Sequence, residues 1–172
     1  VEQYIEGTFL VFNGDVLSDL NLANLIAYHR EKGGKATIYL TRVEDPTAYG
    51  LVPLDRRGRI SEFLEKPSWD QVVTDLINAG TYVLEPEVLE RVPAGEPHSF
   101  ERQLFPSLLE DGIPMYGFPS DAYWLDIGTP AKYLQAHYDI LRRMLPFEFR
   151  GEMVWPSGWG GGGADIVADA SI

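Results

Sequence analysis

The stretch TFLVFNGDVLSDL, residues 8–20, places a carboxylate at the point where an apolar segment ends. Residues 8–12 form a continuous apolar run of strand length, which is typical of a strand covered on both faces of a sheet. Asp15 follows this run after Asn13 and Gly14. We therefore predict a buried strand with an acidic residue just beyond its carboxyl end.

The residues that follow predict a β-α-β unit. The segment NLANLIAYHREKGG, residues 21–34, carries apolar side chains at helical spacing and has a stop signal at Gly33. Residues 36–43, ATIYLTRV, then have the composition of a second strand. The crossover should be right-handed, and the two strands should run parallel.

The middle of the chain predicts further strands and short helices. Residues 50–54 and 59–65 flank a turn from Asp55 to Gly58 and should form a hairpin. The other predicted elements are a strand at 77–85 with an internal glycine, a short helix from Pro86 to Val92, a helix from Ser99 to Leu109 that Pro106 must kink or divide, and short strands at 115–118 and 122–127.

Residues 128–145, GTPAKYLQAHYDILRRML, give the clearest helical pattern. Thr129 is placed to cap the helix, and Pro130 suits its first position. One stripe of this helix contains Tyr133, Leu134, His137, Leu141 and Met144. The whole pattern predicts an α/β domain at residues 1–150 with a mixed, mostly parallel sheet.

Residues 151–172 differ from the rest in composition. They contain a run of glycines that lacks the Lys-Ser/Thr and helix of a phosphate-binding loop, so we predict a glycine-rich linker. Ile166 and Ile172 lie six residues apart with small Ala168 and Ala170 between them, a spacing that suits the start of a hexapeptide β-helix.

Composition limits the classes of function. Of the 172 residues, 45% are hydrophobic and none is cysteine, which favours a globular protein and excludes disulfides and thiolate metal sites. The net charge of −12 argues against a nucleic-acid partner, and the cluster Arg56, Arg57 and Arg59 fits a solvated hairpin tip. No apolar run or signal-peptide pattern predicts a membrane partner, so we expect a cytoplasmic protein.

Two aspartates occupy matching places. Asp15 follows the strand at residues 8–12, and Asp126 follows the strand that precedes Gly128 and a helix N-terminus. Ligands of doubly wound sheets bind outside the carboxyl ends of strands, where two such carboxylates could share Mg²⁺ with substrate phosphates. The alternative is that each aspartate hydrogen-bonds its own turn.

Glu65 and Lys66 in EFLEKPS also allow two interpretations, a ligand site or an exposed pair of charges. Neighbouring residues of a strand point to opposite faces, so these two side chains could share a ligand only if Pro67 and the end of the strand disturb the alternation. In that case Glu65 would accept hydrogen bonds from hydroxyl groups and Lys66 would donate to a phosphate. The alternative is an exposed pair of charges.

Four motifs together resemble one family. FNGDVL, YGLVPLDRRGRISEFLEKP, INAGTYVLEPEVL and YWLDIGTPAKYLQAH occur in the order and spacing of the sugar-phosphate nucleotidylyltransferases, most like the mannose-1-phosphate guanylyltransferase type of NDP-sugar synthase. The resemblance covers about residues 1–150. It implies a Rossmann-like nucleotidyltransferase fold, with a C-terminal left-handed β-helix in many members.

The resemblance also implies an activity and roles for residues. The reaction joins a nucleoside triphosphate to a sugar 1-phosphate, here expected to be GTP and mannose 1-phosphate, and releases pyrophosphate. Asp15 and Asp126 match the Mg²⁺ ligands, and Glu65 and Lys66 match contacts to the sugar hydroxyls and phosphate. The matches to the wall of the sugar site are Gly50, Asn78 and Gly80, whereas Trp124 is expected to be structural.

One signature of that family has no counterpart here. Its glycine-rich nucleotide loop precedes the NGD motif, and only fourteen residues precede Asp15 in this chain. We therefore expect an incomplete piece of an enzyme that is inactive in isolation and that forms a homo-oligomer. The alternatives are a non-catalytic sugar-nucleotide binding or regulatory subunit of the same fold, or an unrelated acidic interaction module.

Overall fold

A computed structural model of the chain describes residues 5–145, 152–155 and 158–160. Its centre is a six-stranded mixed sheet with helices packed against it. The strands are β1 Phe9–Phe12, β2 Val16–Ser18, β3 Ala36–Arg42, β4 Gly50–Leu51, β5 Leu64–Glu65, β6 Leu76–Leu84, β7 Met115–Pro119, β8 Trp124–Asp126, β9 Glu152–Trp155 and β10 Gly158–Gly160. The helices are α1 Leu22–Lys32, α2 Phe105–Glu110 and α3 Pro130–Leu141, with short 3-10 helices at Pro46–Ala48, Trp69–Gln71 and Pro86–Arg91 and a π-helix at Phe100–Leu104.

Strand β6 lies at the middle of the sheet. The strands are ordered β5-β4-β6-β3-β7, and β1 also pairs with β6. Since β1 and β3 are both antiparallel to β6, they run parallel to each other, as the β-α-β pattern predicts, but β6 separates them. Helix α1 connects them; it begins after Asn21, whose side chain accepts from the N–H of Asn24, and it ends at Gly33, where φ is 64°.

The prediction of a mixed sheet is confirmed, but its finer detail needs correction. Strands β1, β3, β4 and β7 run in one direction, yet among the described strands only β3 and β7 are parallel neighbours. The sequence pattern revealed the common direction of β1 and β3. It did not reveal that β6 inserts between them and turns most neighbouring pairs antiparallel.

The sheet has an apolar cluster on each face. Side chains of β3 alternate between them: Ile38 and Leu40 belong to the larger cluster, and Tyr39 belongs to the smaller one, which α1 covers with Leu25. Strand β1 is covered less completely than predicted, because Phe12 is 52% exposed. Among the described strands, its only neighbour is β6.

The second half of the domain begins its helices as predicted. Ser99 accepts from the N–H of Arg102, and the helix that follows is divided into a π-helix and α2, with Pro106 in the first turn of α2. Thr129 caps α3 by accepting from the N–H of Lys132, and Pro130 is its first residue.

The apolar stripe predicted on α3 faces solvent. Its exposed members are Tyr133, Leu134, His137, Leu141 and Met144. The buried side chains of α3 are instead Ala136 and Asp139, and Asp139 accepts from the hydroxyl of Tyr123 at 2.7 Å. Small size and a specific hydrogen bond, rather than the apolar stripe, therefore attach this helix to the domain.

Two further predictions concern the ends of the chain and the membrane. The linker and the start of a β-helix were predicted at residues 151–172, of which the structure describes only 152–155 and 158–160. These described residues are β9 and β10, which form a separate antiparallel pair, and the predicted β-helix residues 166–172 lie outside the described residues. Within the described ranges, no helix combines the length and the apolar character needed to cross a membrane.

Candidate functional site

An open cleft of about 470 Å³ lies beside the carboxyl end of β1 and has the size of a small-molecule site. Every site residue predicted from the sequence lines it: Asp15, Gly50, Glu65, Lys66, Asn78, Gly80 and Asp126. Residues that the sequence analysis did not select also line it, namely Asn13, Val16, Ala48, Tyr49, Ala79, Ser99, Glu101, Arg102 and Trp124.

A short antiparallel ribbon brings the two aspartates together. Strand β2 pairs with β8 in a register that sets Val16 opposite Asp126. The ribbon is extended by a hydrogen bond from the N–H of Ile127 to the carbonyl oxygen of Asp15, at 2.8 Å. Because this pairing joins two segments far apart in sequence, it fixes Asp15 next to Asp126 independently of their side chains.

Gly128, which has no side chain, lies close to both carboxylates. A Cβ atom at this position would lie 3.0 Å from Oδ1 of Asp126 and 3.6 Å from Oδ2 of Asp15. The backbone N–H of Gly128 also donates to Oδ1 of Asp126, at 2.8 Å. Two carboxylate oxygens this close to one position suit the binding of a hard divalent cation such as Mg²⁺.

The described residues alone offer that cation few ligands. Within the described ranges, no group of three or more His, Cys, Asp or Glu side chains could hold a metal ion. Mg²⁺ is commonly bound through one or two carboxylates together with substrate phosphates and water. The pair Asp15 and Asp126 therefore fits a magnesium site that a phosphate-bearing substrate completes.

Lys132 is an additional cation at this site that sequence reasoning missed. Its ammonium nitrogen lies 3.1 Å from Oδ2 of Asp126 and 3.0 Å from the hydroxyl oxygen of Tyr49. Lys132 occupies the first turn of α3, where a cation opposes the helix dipole. That unfavourable position was a signal that the side chain has a specific partner.

The pKa values of this pair reflect their contacts. Burial alone would raise the pKa of Asp126, but the hydrogen bonds from the N–H of Gly128 and from Lys132 together lower it below its ordinary value. The hydrogen bond to Tyr49 raises the pKa of Lys132, and Asp126 raises it further. Both groups are thus charged at neutral pH.

Glu65 and Lys66 both reach the cleft, because the strand alternation breaks between them. Strand β5 ends at Glu65, and Lys66 has φ of 47°, in the left-handed region. The N–H of Lys66 donates to the carbonyl oxygen of Tyr49 at 3.0 Å, which holds this turn. The condition under which both side chains could meet one ligand is therefore fulfilled.

Gly50 makes room for the Glu65 carboxylate. The two residues are paired across β4 and β5, and a Cβ atom on Gly50 would lie 3.2 Å from Oε2 of Glu65. Oε1 of Glu65 lies 3.6 Å from the guanidinium of Arg102, which belongs to the π-helix. No sequence spacing pointed to Arg102, since π-helices interrupt the regular helical period.

Gly80 shapes the opposite part of the strand edge. It has φ of 74°, and a Cβ atom there would lie 2.8 Å from Nδ2 of Asn13. The carbonyl oxygen of Gly80 accepts from the N–H of Asn13, and its own N–H donates to Oδ1 of Asn78 at 3.0 Å. Glycine at this position therefore lets the NGD loop and the Asn78 side chain meet at the cleft.

Trp124 has the structural contacts expected for it. Its indole N–H donates to the carbonyl oxygen of Ala79 at 3.0 Å. The ring meets Tyr49 edge to face, with centroids 5.6 Å apart. Trp124 thus links β8 to β6 and supports the wall of the cleft.

Comparisons with known proteins identify the family of the chain. The model of the family described as "Nucleotidyl transferase" matches residues 1–143. The mannose-1-phosphate guanylyltransferase of Mycobacterium tuberculosis is 45% identical over 140 residues, which are 81% of this chain and 38% of that protein. The UTP--glucose-1-phosphate uridylyltransferase of Synechocystis sp. is 39% identical, over 83% of this chain and 37% of that protein.

A solved structure gives the same result for the fold. The crystal structure of HddC from Yersinia pseudotuberculosis complexed with GMP-PN matches with a TM-score of 0.65 and 28% identity, over 80% of this chain and 58% of that chain. The present chain spans less than two fifths of the length of the two curated relatives named above. Its sequence and its fold together show that the chain belongs to the nucleotidyl transferase family.

Proposed function

We propose that the protein containing this chain transfers a nucleotidyl group from a nucleoside triphosphate to a sugar 1-phosphate. In this reaction a phosphate oxygen of the sugar attacks the α-phosphorus, the bond from the α-phosphorus to the bridging oxygen breaks, and pyrophosphate leaves. The products are an NDP-sugar and pyrophosphate. The family match and the relatives named above support this class of reaction.

One observation carries the proposal. A single cleft contains paired carboxylates, at Asp15 and Asp126, and also the carboxylate and ammonium pair of Glu65 and Lys66. A sugar 1-phosphate needs both acceptors for its hydroxyl groups and a cation for its phosphate. A triphosphate needs a site for its accompanying divalent cation.

The residues of the chain would catalyse the reaction by alignment and charge stabilisation. Asp15 and Asp126 would hold Mg²⁺, which supplies positive charge to the phosphate oxygens when it is bound. Lys66 would bind the phosphate of the sugar and orient its oxygen for attack, since holding two reactants in the correct geometry removes much of the entropic barrier. No covalent intermediate on the protein is required.

The remaining predicted residues would bind the sugar. Glu65 would accept hydrogen bonds from sugar hydroxyls, and the amide of Asn78 could both donate and accept. Gly50 and Gly80 would form part of the wall of the sugar site, because their lack of a side chain lets Glu65 and Asn13 lie close to the backbone there. Each of these roles is part of the proposal.

For the specific substrates we propose GTP and mannose 1-phosphate. The support is the mannose-1-phosphate guanylyltransferase of M. tuberculosis, which is 45% identical. The Synechocystis relative, named for UTP and glucose 1-phosphate, is 39% identical and is the main competing assignment. Homo-oligomerisation of the protein stays a prediction from the sequence.

The test is pyrophosphate release by the full-length gene product with Mg²⁺, each nucleoside triphosphate and each hexose 1-phosphate. We expect release that requires both substrates and that is greatest with GTP and mannose 1-phosphate. The matched control is the Asp15→Asn, Asp126→Asn double variant, which should fold and should release no pyrophosphate. Binding of the substrates by the wild type without release would instead support the non-catalytic subunit.

A further inference from the structure

A chain of hydrogen bonds links three residues of the cleft lining, Asn78, Ser99 and Glu101, through the buried Tyr82. Nδ2 of Asn78 lies 2.9 Å from the hydroxyl oxygen of Tyr82, and that oxygen lies 2.8 Å from Oε1 of Glu101. The hydroxyl of Ser99 donates to Oε2 of Glu101 at 3.1 Å. The chain therefore connects β6 with the π-helix Phe100–Leu104.

The direction of each hydrogen bond follows from the chemistry of the groups. The carboxylate of Glu101 can only accept, so the hydroxyl of Tyr82 donates its proton to Glu101. The phenol oxygen then accepts from Asn78, which turns the NH₂ end of the amide toward Tyr82. At the other end, the N–H of Gly80 can only donate, and it bonds Oδ1 of Asn78.

The Asn78 amide is therefore held at both ends, and it can still make further hydrogen bonds. Its NH₂ group has a second N–H, and its oxygen has a second lone pair. Asn78 lines the cleft, whereas Tyr82 is 1% exposed and is absent from the cleft lining. Any ligand in the cleft meets an amide whose donor and acceptor ends are already assigned.

We propose that Tyr82 and Glu101 are positioning residues that fix the orientation of Asn78 toward the hydroxyl groups of the bound sugar. This inference rests on the proposed function, because it assigns the ligand at Asn78 as the sugar of a sugar 1-phosphate. Tyr82 acts only through Asn78. Glu101 acts through Tyr82, and Ser99 keeps the Glu101 carboxylate in place.

The ring and the hydroxyl group of Tyr82 make different contacts. The ring packs edge to face against Phe105, with centroids 5.1 Å apart. It also packs against the tilted ring of Phe100, with centroids 6.1 Å apart. Burial raises the pKa of Tyr82 far above its ordinary value, and the Glu101 carboxylate raises it further, so the phenol keeps the proton it donates. Replacement of Tyr82 by Phe would keep the packing and remove only the hydrogen bonds.

The experiment measures KM for sugar 1-phosphate and for the nucleoside triphosphate in the full-length gene product. Tyr82→Phe should raise KM for the sugar 1-phosphate roughly three- to tenfold, which corresponds to the loss of one hydrogen bond. KM for the nucleotide should change much less. Glu101→Ala should have a similar effect, and Glu101→Gln, which keeps an acceptor oxygen, should recover most of the wild-type value.

The double variant Tyr82→Phe, Glu101→Ala tests whether Glu101 acts on Asn78 through Tyr82, which we call the relay, or whether the two residues act separately. If Glu101 acts through Tyr82, the double variant should bind sugar 1-phosphate about as well as the weaker single variant, because coupled residues are not additive. Additive losses would overturn the relay, and so would an unchanged KM for the sugar in Tyr82→Phe. Thermal unfolding of each variant checks that all of them fold.

Failure of the proposed function has a different signature. Wild-type protein that neither releases pyrophosphate nor binds sugar 1-phosphate in calorimetry overturns the proposed function and the relay with it. Wild-type turnover together with an unchanged sugar KM in Tyr82→Phe overturns the relay alone.

Discussion

The ammonium nitrogen of Lys132 lies 3.1 Å from Oδ2 of Asp126, while Oδ1 of the same carboxylate accepts from the N–H of Gly128 on the side of Asp15. The two oxygens of Asp126 thus have different partners. Oδ2 is paired with Lys132, and Oδ1 lies beside the position that we propose for a divalent cation. This division makes Asp126 the most informative residue of the proposed metal site.

Asp126→Asn should lower turnover of the full-length protein by at least about a hundredfold, because it removes one charge of the metal site with little change in shape. The measurement is kcat as a function of Mg²⁺ concentration. Asp121→Asn is the matched control, since Asp121 is an exposed residue just before β8 and does not line the cleft. Wild-type turnover with the same Mg²⁺ dependence in Asp126→Asn would refute the assignment.

Lys132→Met should strengthen Mg²⁺ binding, because the ammonium group repels another cation beside Asp126. We expect the Mg²⁺ concentration for half-maximal activity to fall by about two- to fivefold, a modest effect since both side chains are partly exposed to solvent. A titration of activity with Mg²⁺ at constant ionic strength measures it. A higher Mg²⁺ requirement would show instead that Lys132 helps to build the site.

The sequence predicted the residues of the cleft better than the way in which the fold assembles them. Asp15 and Asp126 were candidates because they follow strands, whose ends are visible as changes in apolar pattern, and the family motifs then implied roles for them and for Lys66. The predicted strand at 122–127 contains β8, but β2 was not predicted, because three residues carry too little periodicity to be recognised. The pairing of β2 with β8 was therefore not predicted either, since it joins segments far apart in sequence.

Other differences have equally specific causes. Glu101 and Arg102 were not predicted to line the cleft, because they belong to a π-helix, whose period departs from the helical spacing used to find apolar faces. On α3 the pattern of apolar residues was real, but Ala136 and Asp139 are the side chains that are buried. A pattern alone predicts that a helix is amphipathic and does not show which residues the rest of the chain will cover.

Lys66→Ala should raise KM for the sugar 1-phosphate much more than KM for the nucleotide, because the lost cation would bind only one of the substrates. Loss of a charged hydrogen-bond donor corresponds to a change of about tenfold or more. Lys35→Ala is the control, since Lys35 is partly exposed, pairs with Glu87 and lies outside the cleft. Equal increases in both KM values would indicate a purely structural lysine.

Glu85 should make the stability of the domain sensitive to acid. Burial alone would raise the pKa of Glu85, and Glu87 acts in the same direction, but hydrogen bonds from His29 and Thr8 lower it below the ordinary value of 4.5. A carboxyl with a lowered pKa in the folded state stabilises the fold above its unfolded pKa, and this contribution is lost as the pH falls through the folded pKa.

The measurement is the free energy of unfolding in urea between pH 7 and pH 3 for the wild type and for Glu85→Gln. The variant should be less stable at pH 7 and should lose less stability below about pH 4.5 than the wild type. Glu110→Gln, at an exposed position of α2, should follow the wild-type curve. Parallel curves for the wild type and Glu85→Gln would contradict the role assigned to the contact with His29.

Gly128→Ala tests the space between the two aspartates without changing either of them. The added methyl group would lie 3.0 Å from Oδ1 of Asp126 and 3.6 Å from Oδ2 of Asp15, so it would crowd the proposed position of the cation. At Gly14, in the loop that carries Asp15, the same change meets no atom within 4 Å and serves as the control.

We expect Gly128→Ala to raise the Mg²⁺ concentration for half-maximal activity by about tenfold or more, since Mg²⁺ requires short and nearly ideal distances to its oxygen ligands. Gly14→Ala should stay close to the wild type. Mn²⁺ is larger than Mg²⁺ and should restore part of the activity if the methyl group acts by displacing a carboxylate oxygen. An unchanged Mg²⁺ requirement in Gly128→Ala would mean that the cation lies elsewhere in the cleft, because an intruding methyl group at 3.0 Å from a true ligand must move that ligand.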